Sequence, residues 1–432
     1  MRPALAPLLA LAALLAAPGA QAQGQNNYGS IYSRYGFGER TDFGTSQAAT
    51  LGHAGVALRS PVYRTPTNPA LWSDAAVTTF SVAASVAAVR GEDAASADPS
   101  VGTAGDLAGL HIGVPLLPGR LGLVFAYRPY SRVNYRSAVR DFVLVEGDTA
   151  RYTINLEGAG GLQTVSGGLG LRLGGAVQVG ASADLVFGTE EVVQRTDFDG
   201  ADFLEPRQSE ATRVIGLTAT LGAAVTARAL ASDDDALTVG ASVQLPTALD
   251  ATRSVVLGES LDRDTLVAAR DGDATLPLVA RAGLAYQAGP RWLATAEGLY
   301  EPWGAFESTL PVGGFNPVAG TDELRDRLRV GGGVELTPAG REFRAGVLRR
   351  SSYRLGAYAE RGLYAPGGED VTTLALTGGV SVPNRFTGAR LDLGLEVGTR
   401  GSTEGVLVRD TFVRGTVSLN FGERWFVRRR FD

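Results

Sequence analysis

Two histidines, His53 and His111, are the residues best equipped for acid–base or metal chemistry in this chain of 432 residues. A Ser–His–acid hydrolase would need one of them beside a nucleophilic serine. His111 sits instead in an alternating run at 107–115, out of phase with Leu110, Ile112 and Val114, and reads as a satisfied histidine on the polar face. Two histidines at metal-ligand spacing are absent, and without cysteine there is no thiolate site and no disulfide. Gly331, Gly332 and Gly333 run into more alternation and not into a helix, so they do not make a phosphate loop. The chain is therefore expected to carry no enzyme activity, no cofactor and no metal.

The remaining chemistry is charge. Asp184, Arg281, Glu297, Arg327, Arg329, Glu335, Asp392, Glu396, Arg400 and Arg414 all fall on the polar phase of alternating segments. Ion pairing across a wall, or to a plug, is the first role for such charges; ligand binding is the second.

The elements that must position them are strands. In the run 327–337, Leu328, Val330, Val334 and Leu336 take one face while Arg327, Arg329, Glu335 and Thr337 take the other. Strands send successive side chains to opposite faces, so each segment has one oily and one wet side. This rhythm continues from about residue 77 to the end, with tight turns alternating with long polar loops. Turn chemistry marks strands near 77–89, 107–115, from 121, up to 173, from 176, around 215–226, 237–245, 276–287, 292–300, 327–337, 342–350, 371–382, 390–400 and 407–421. Long loops are expected at 250–273 and 350–370. The count is about fourteen, with twelve to sixteen open. An even number closes a single-chain barrel without a free edge. The fold class is thus all-β, a transmembrane antiparallel barrel. Aromatics near strand ends, Trp292, Tyr300, Trp303, Trp425 and Phe426, fit interface girdles.

Residues 1–22 read as a signal peptide: Arg2, an apolar run at 5–17, then Ala20-Gln21-Ala22. That run is too short to cross a bilayer as a helix, which takes about 20 residues. Export to the outer membrane of a Gram-negative cell follows, with outer-membrane lipid and the barrel-assembly machinery as partners. A net charge of −5 points away from nucleic acid. Residues 76–432 form the barrel and 23–75 an N-terminal segment without alternation. Asn420, Gly422, Trp425 and Val427 resemble the insertion signal of last strands in outer-membrane barrels.

In that N-terminal segment, Gly52, Ala54, Gly55 and Ala57, followed by Asn68, Pro69, Ala70 and Leu71 just before the first strand, resemble the corresponding region of the FadL-type outer-membrane transporters. The run at 32–39 also resembles the start of FadL-like barrels of unassigned role. The resemblance implies a fourteen-strand barrel, a hatch formed by 23–75, and passage of hydrophobic small molecules, fatty-acid-like in character. Independently, Asn68 before Pro69 has the chemistry of a helix cap followed by proline at the first position.

Two functions are open. The expected one is passive transport of a hydrophobic small molecule across the outer membrane. The other is a non-transporting barrel, a scaffold or secretion-associated partner such as the FadL-like barrels of type IX secretion. A continuous apolar pocket or a gap in the wall would favour the first. A lumen filled by salt bridges under large ordered outer loops would favour the second.

Overall fold

The computed structural model describes residues 28–94, 98–145, 148–199, 205–259, 264–384 and 389–423. The signal-peptide reading, the terminal part of the insertion signal at Trp425 and Val427, and the girdle reading of Trp425 and Phe426 lie outside the described residues.

Fourteen antiparallel strands close a barrel. They are β1 (Thr78–Glu92), β2 (Ser100–Leu117), β3 (Leu121–Pro129, then Ser131–Val145), β4 (Asp148–Leu173), β5 (Val177–Phe198), β6 (Pro206–Arg228) and β7 (Ala236–Gln244, then Thr247–Glu259). The circuit continues through β8 (Asp264–Leu276, then Val279–Ala288), β9 (Trp292–Glu301), β10 (Arg327–Leu336), β11 (Ser352–Arg361), β12 (Thr372–Pro383), β13 (Arg390–Arg400) and β14 (Arg409–Glu423). Pairing of β1 with β14, from Thr78↔Glu423 to Glu92↔Arg409, closes the ring.

The alternation sorts as its physics demands. Leu284, Leu355, Leu376 and Leu395 face outward and are exposed, whereas Arg281, Glu297, Arg327, Asp392 and Glu396 are buried in the lumen. A charge on the outer face would cost about 2–4 kcal/mol at the bilayer midplane for Arg, so the phase is set by solvation.

Two expected boundaries are corrected. The run 342–350 is not a strand. It belongs to a periplasmic elbow between β10 and β11, containing the short helix α1 (Val347–Arg350), and β11 begins only at Ser352. Gly340 at φ +52° and Gly346 break the alternation there, and four arginines in ten residues do not suit a lipid-phase strand. The expected loop at 250–273 is mostly sheet, because β7 and β8 pair on past the membrane from Thr247↔Leu276 to Leu257↔Asp264. There Leu249, Ala251, Ala274 and Leu276 pack inward with the apolar cap while Asp250, Thr252, Asp271 and Asp273 face water, so the apolar lipid-facing signal is lost while the pairing persists.

Outside, Trp303, Phe306, Leu310, Leu324, Leu363 and Tyr364 pack with Tyr32, Tyr35 and Phe37 into an apolar cap over the barrel mouth. Trp303 is 1% exposed in this cap and is not a girdle residue. Trp292 and Tyr300, by contrast, are exposed at opposite ends of β9.

Candidate functional site: a plugged lumen and an interrupted wall

Residues 28–75 run from the outer cap down through the lumen. Next to the periplasm, Asn68 caps the 3-10 helix Pro69–Asp74 by accepting from the Ala70 amide at 3.1 Å. Its amide donates to Val56 O at 2.7 Å and to Ala223 O of β6 at 3.2 Å. The wall is glycine where this turn touches it: a Cβ on Gly222 would lie 2.1 Å from Asn68 Oδ1, and one on Gly180 2.4 Å from the Pro69 carbonyl carbon. Arg59 and Arg172 both hold Asp74.

In the middle layer, Thr45 caps the helical turn Ser46–Ala49. Gly52 then adopts φ +66°, and a Cβ there would stand 2.3 Å from Ala357 O and 2.6 Å from Gly332 O. The Gly331–Gly333 run is therefore the seat of the plug, and Gly52 is confined to glycine twice over, by φ and by space. The wall carboxylates hold the plug's backbone. Glu297 accepts from the Gly55 and Val56 amides at 2.7 Å each. Asp392 accepts from Ser46 Oγ at 2.7 Å and Tyr63 OH at 2.8 Å, and Glu335 from Gln47 at 2.9 Å. Arg354 bridges Glu335 and Asp392 at 2.7 and 3.4 Å.

Above this sits a dense charged layer. Asp42 meets Arg281 at 3.0 Å, Arg329 at 2.9 Å, and Arg327. Burial alone would favour its neutral acid, but Arg327, Arg329 and Arg281 hold the carboxyl well below the usual range. Arg40 reaches Glu301 at 3.2 Å and lies over the Tyr130 ring at 3.5 Å. Arg327 also takes Glu301 at 2.9 Å and Glu360 at 2.7 Å. Glu39 is gripped by Arg400 at 2.6 Å, with Arg414 at 3.7 Å. His53 meets Glu396 at 3.4 Å and packs edge-on against Tyr358, with no serine in the arrangement.

Nine of the ten sequence-marked lumen charges thus join ion pairs that reach the plug or neighbouring strands. Asp184 stands apart, held by Ser182 at 3.1 Å and by Thr220. His111 is buried in the lumen, but its Nε2 has no hydrogen-bond partner, which corrects the expectation of a satisfied ring. Sequence reasoning missed Asp42, Arg40, Glu301, Glu360 and Arg354. The first two lie in a segment with no period, and Arg354 lies just beyond the misplaced strand. Among the described residues no cluster of three His, Cys, Asp or Glu could hold a metal.

Among the described residues, the wall is interrupted between β2 and β3. β2 pairs with β3 only over Leu110–Leu117 and Leu121–Tyr127. Past Tyr130, the outer part of β3 pairs with β4 but not with Ser100–Gly109 of β2. Gly161 of β4, at φ +122°, makes the bend possible, since a Cβ would sit 2.5 Å from Ser131 O. Unpaired backbone in lipid costs several kcal/mol per group, so such a gap must be covered. Residues 28–43 cover it as a strap. Glu39 and Arg40 pair with Arg132 and Ser131. The Gly29 amide donates to Asn134 O at 3.0 Å and the Thr41 amide to Tyr130 O at 3.1 Å. On the other side the strap touches Gly102 through Tyr28 and Gly109 through Phe43, and an Arg132–Asp106 ion pair spans the gap.

Two cavities lie behind the strap. The larger, about 80 Å³, is lined by Asp42, Arg132, Arg329, Glu396 and Arg414 among others. The smaller, about 30 Å³, touches Ser30, Asn134 and Asp410. Both have charged side chains in their lining, and the larger also has apolar ones, Phe43 and Leu363 among them.

Among solved structures, the chain is similar to the toluene transporter TbuX of Ralstonia pickettii, with 14% identity, 87% of this chain and 97% of that one covered, and a TM-score of 0.54. It is similar to a FadL homologue of Pseudomonas aeruginosa, with 12% identity, 87% and 97% covered and a TM-score of 0.55. The CymD monoaromatic hydrocarbon channel gives 14% identity, 88% and 98% covered and a TM-score of 0.53. At such identities the likeness is one of fold. No curated protein matches the chain. The family model described as BamG matches residues 8–432. The chain belongs to the BamG family and has the FadL-type barrel fold, with a plug inside.

Proposed function

We propose that this protein is an outer-membrane barrel sealed against passage, whose work is to hold a protein partner at the membrane. The observation that carries this reading is the charged layer around Asp42, buried beneath an apolar cap of ordered outer loops. A transported hydrocarbon needs an apolar route, and an apolar guest gains nothing from displacing paired charges. The barrel-assembly machinery is the first partner to test, because outer-membrane barrels need it for insertion.

A second reading is favoured by the interrupted wall. If residues 28–43 moved aside, the gap between β2 and β3 would open from lumen to lipid, and a hydrophobic small molecule could leave sideways. The neighbours that move toluene and other monoaromatics support this reading at the level of the fold.

One experiment separates the two. In a host lacking the protein, the heat-modifiable outer-membrane barrels are quantified alongside uptake of radiolabelled toluene and oleate. The partner reading expects depleted barrels and unchanged uptake; lost uptake with normal barrels would replace it by the transport reading.

A further inference from the structure

The periplasmic rim carries one feature unlike its other described turns. The connections after β2, β4 and β8 are tight, but β10 and β11 are joined by the elbow 337–351. Three large apolar side chains stand out from it: Phe343 is 84% exposed, Leu348 76% and Val347 40%. Arg341, Arg344 and Arg349 are exposed beside them, with Arg350 half-buried. Arg341 reaches Asp234 at 2.8 Å and Arg349 reaches Glu342 at 3.0 Å, which leaves the elbow with a net positive charge.

Its position says what covers it. Trp292, Leu336 and Tyr353 are neighbours in register on the lipid face, at the periplasmic ends of β9, β10 and β11. Tyr353 OH donates to Leu348 O at 3.0 Å. The helix α1 is therefore tied to the lipid side of the wall, level with an aromatic pair of the kind that sits at a membrane interface. The apolar side chains continue the lipid-facing belt, and the arginines complement phosphate headgroups.

We propose that the elbow is an interfacial anchor: Phe343 and Leu348 enter the periplasmic leaflet and the arginines bind anionic phospholipid headgroups. Short amphipathic segments with basic residues on the polar side bind membranes by this combination. The anchor would tilt or position this sector of the barrel according to the local lipid.

The chain has no cysteine, so single labels are straightforward. Nitroxides are placed by Leu348→Cys, Phe343→Cys and, as a control in the tight turn after β2, Pro118→Cys. The full barrel is reconstituted in phosphatidylcholine vesicles with and without phosphatidylglycerol. Collisions with oxygen relative to a water-soluble nickel chelate should be several-fold higher at 343 and 348 than at 118. The difference should grow with phosphatidylglycerol and shrink in an Arg344→Glu, Arg349→Glu background. Heat-modifiability of each variant checks that the barrel is folded. Labels as wet as the control in both vesicles would overturn the proposal and leave the elbow as a protein-docking face. Immersion indifferent to phosphatidylglycerol and to charge reversal would overturn it as well.

Discussion

Asp42→Asn is the sharpest probe of the plug. Asp42 is 4% exposed at its side chain and faces Arg281, Arg327 and Arg329, which are 5%, 2% and 6% exposed. Without its charge, Arg281 keeps only Glu297 at 3.6 Å, and Arg329 keeps Glu360 at 3.9 Å, both long contacts. Removing one partner from a buried pair costs about 3–5 kcal/mol, because the remaining charge is left uncompensated. With a tenfold change for every ~1.4 kcal/mol, the docking equilibrium of the strap should shift by roughly two to four orders of magnitude. Hydrogen exchange of the purified barrel reads this directly. Amides at 28–43 should lose protection in the variant while the β11–β14 amides keep theirs. The double variant Asp42→Leu, Arg329→Leu should recover part of the loss, since charge is then removed from both sides. Protection at 28–43 that changes by less than about tenfold would mean that the charged layer does not hold the strap, and the energetic argument would fail.

Leu284→Arg and Leu395→Arg place charge on the exposed outer face; each should cost about 2–4 kcal/mol near mid-bilayer and reduce the heat-modifiable fraction after refolding into vesicles. Gly52→Ala forces a Cβ to 2.3 Å from Ala357 O at positive φ; it should lift the plug by about 1–3 kcal/mol or more and expose residues 45–58 to protease without unfolding the barrel. The strap should also tolerate acid. Burial raises the Glu39 pKa, but Arg400 and Arg414 outweigh that and bring it down to about 2. A carboxylate lowered on folding contributes stability that is fully present above its unfolded pKa, about 4, and lost progressively as pH falls from there to the folded value. Conductance across planar bilayers should therefore stay at baseline above about pH 5 and rise progressively between about pH 4 and about pH 2; a rise already present at about pH 6 would contradict this.

The barrel was legible in the sequence because it obeys a local rule. Lipid on one side and a charged lumen on the other impose a period of two, so Leu328, Val330 and Val334 separate from Arg327 and Arg329 without knowledge of any contact. The same solvation rule marked charges such as Arg281, Glu297 and Glu396, but passed over Glu301, Glu360 and Arg354 in the same lumen. The rule fails where the outward face leaves the lipid and turns polar, as at Asp250, Thr252, Asp271 and Asp273 in the sheet of 247–276, and where a segment has no period, as at the elbow 337–351. The plug carried only faint local signals: Asn68 before Pro69 for a cap, and Gly52 among other glycines. What those glycines meet, the backbone of Gly332 and Ala357, lies some 280 to 305 residues away in the chain. The pairing of Asp42 with Arg281, Arg327 and Arg329 is of the same kind, because Coulomb attraction acts through space between residues that sequence distance does not relate. The interrupted wall also belongs to the tertiary structure alone. Both β2 and β3 continue as strands past the gap, and only the path of the chain decides that residues 28–43 come between them.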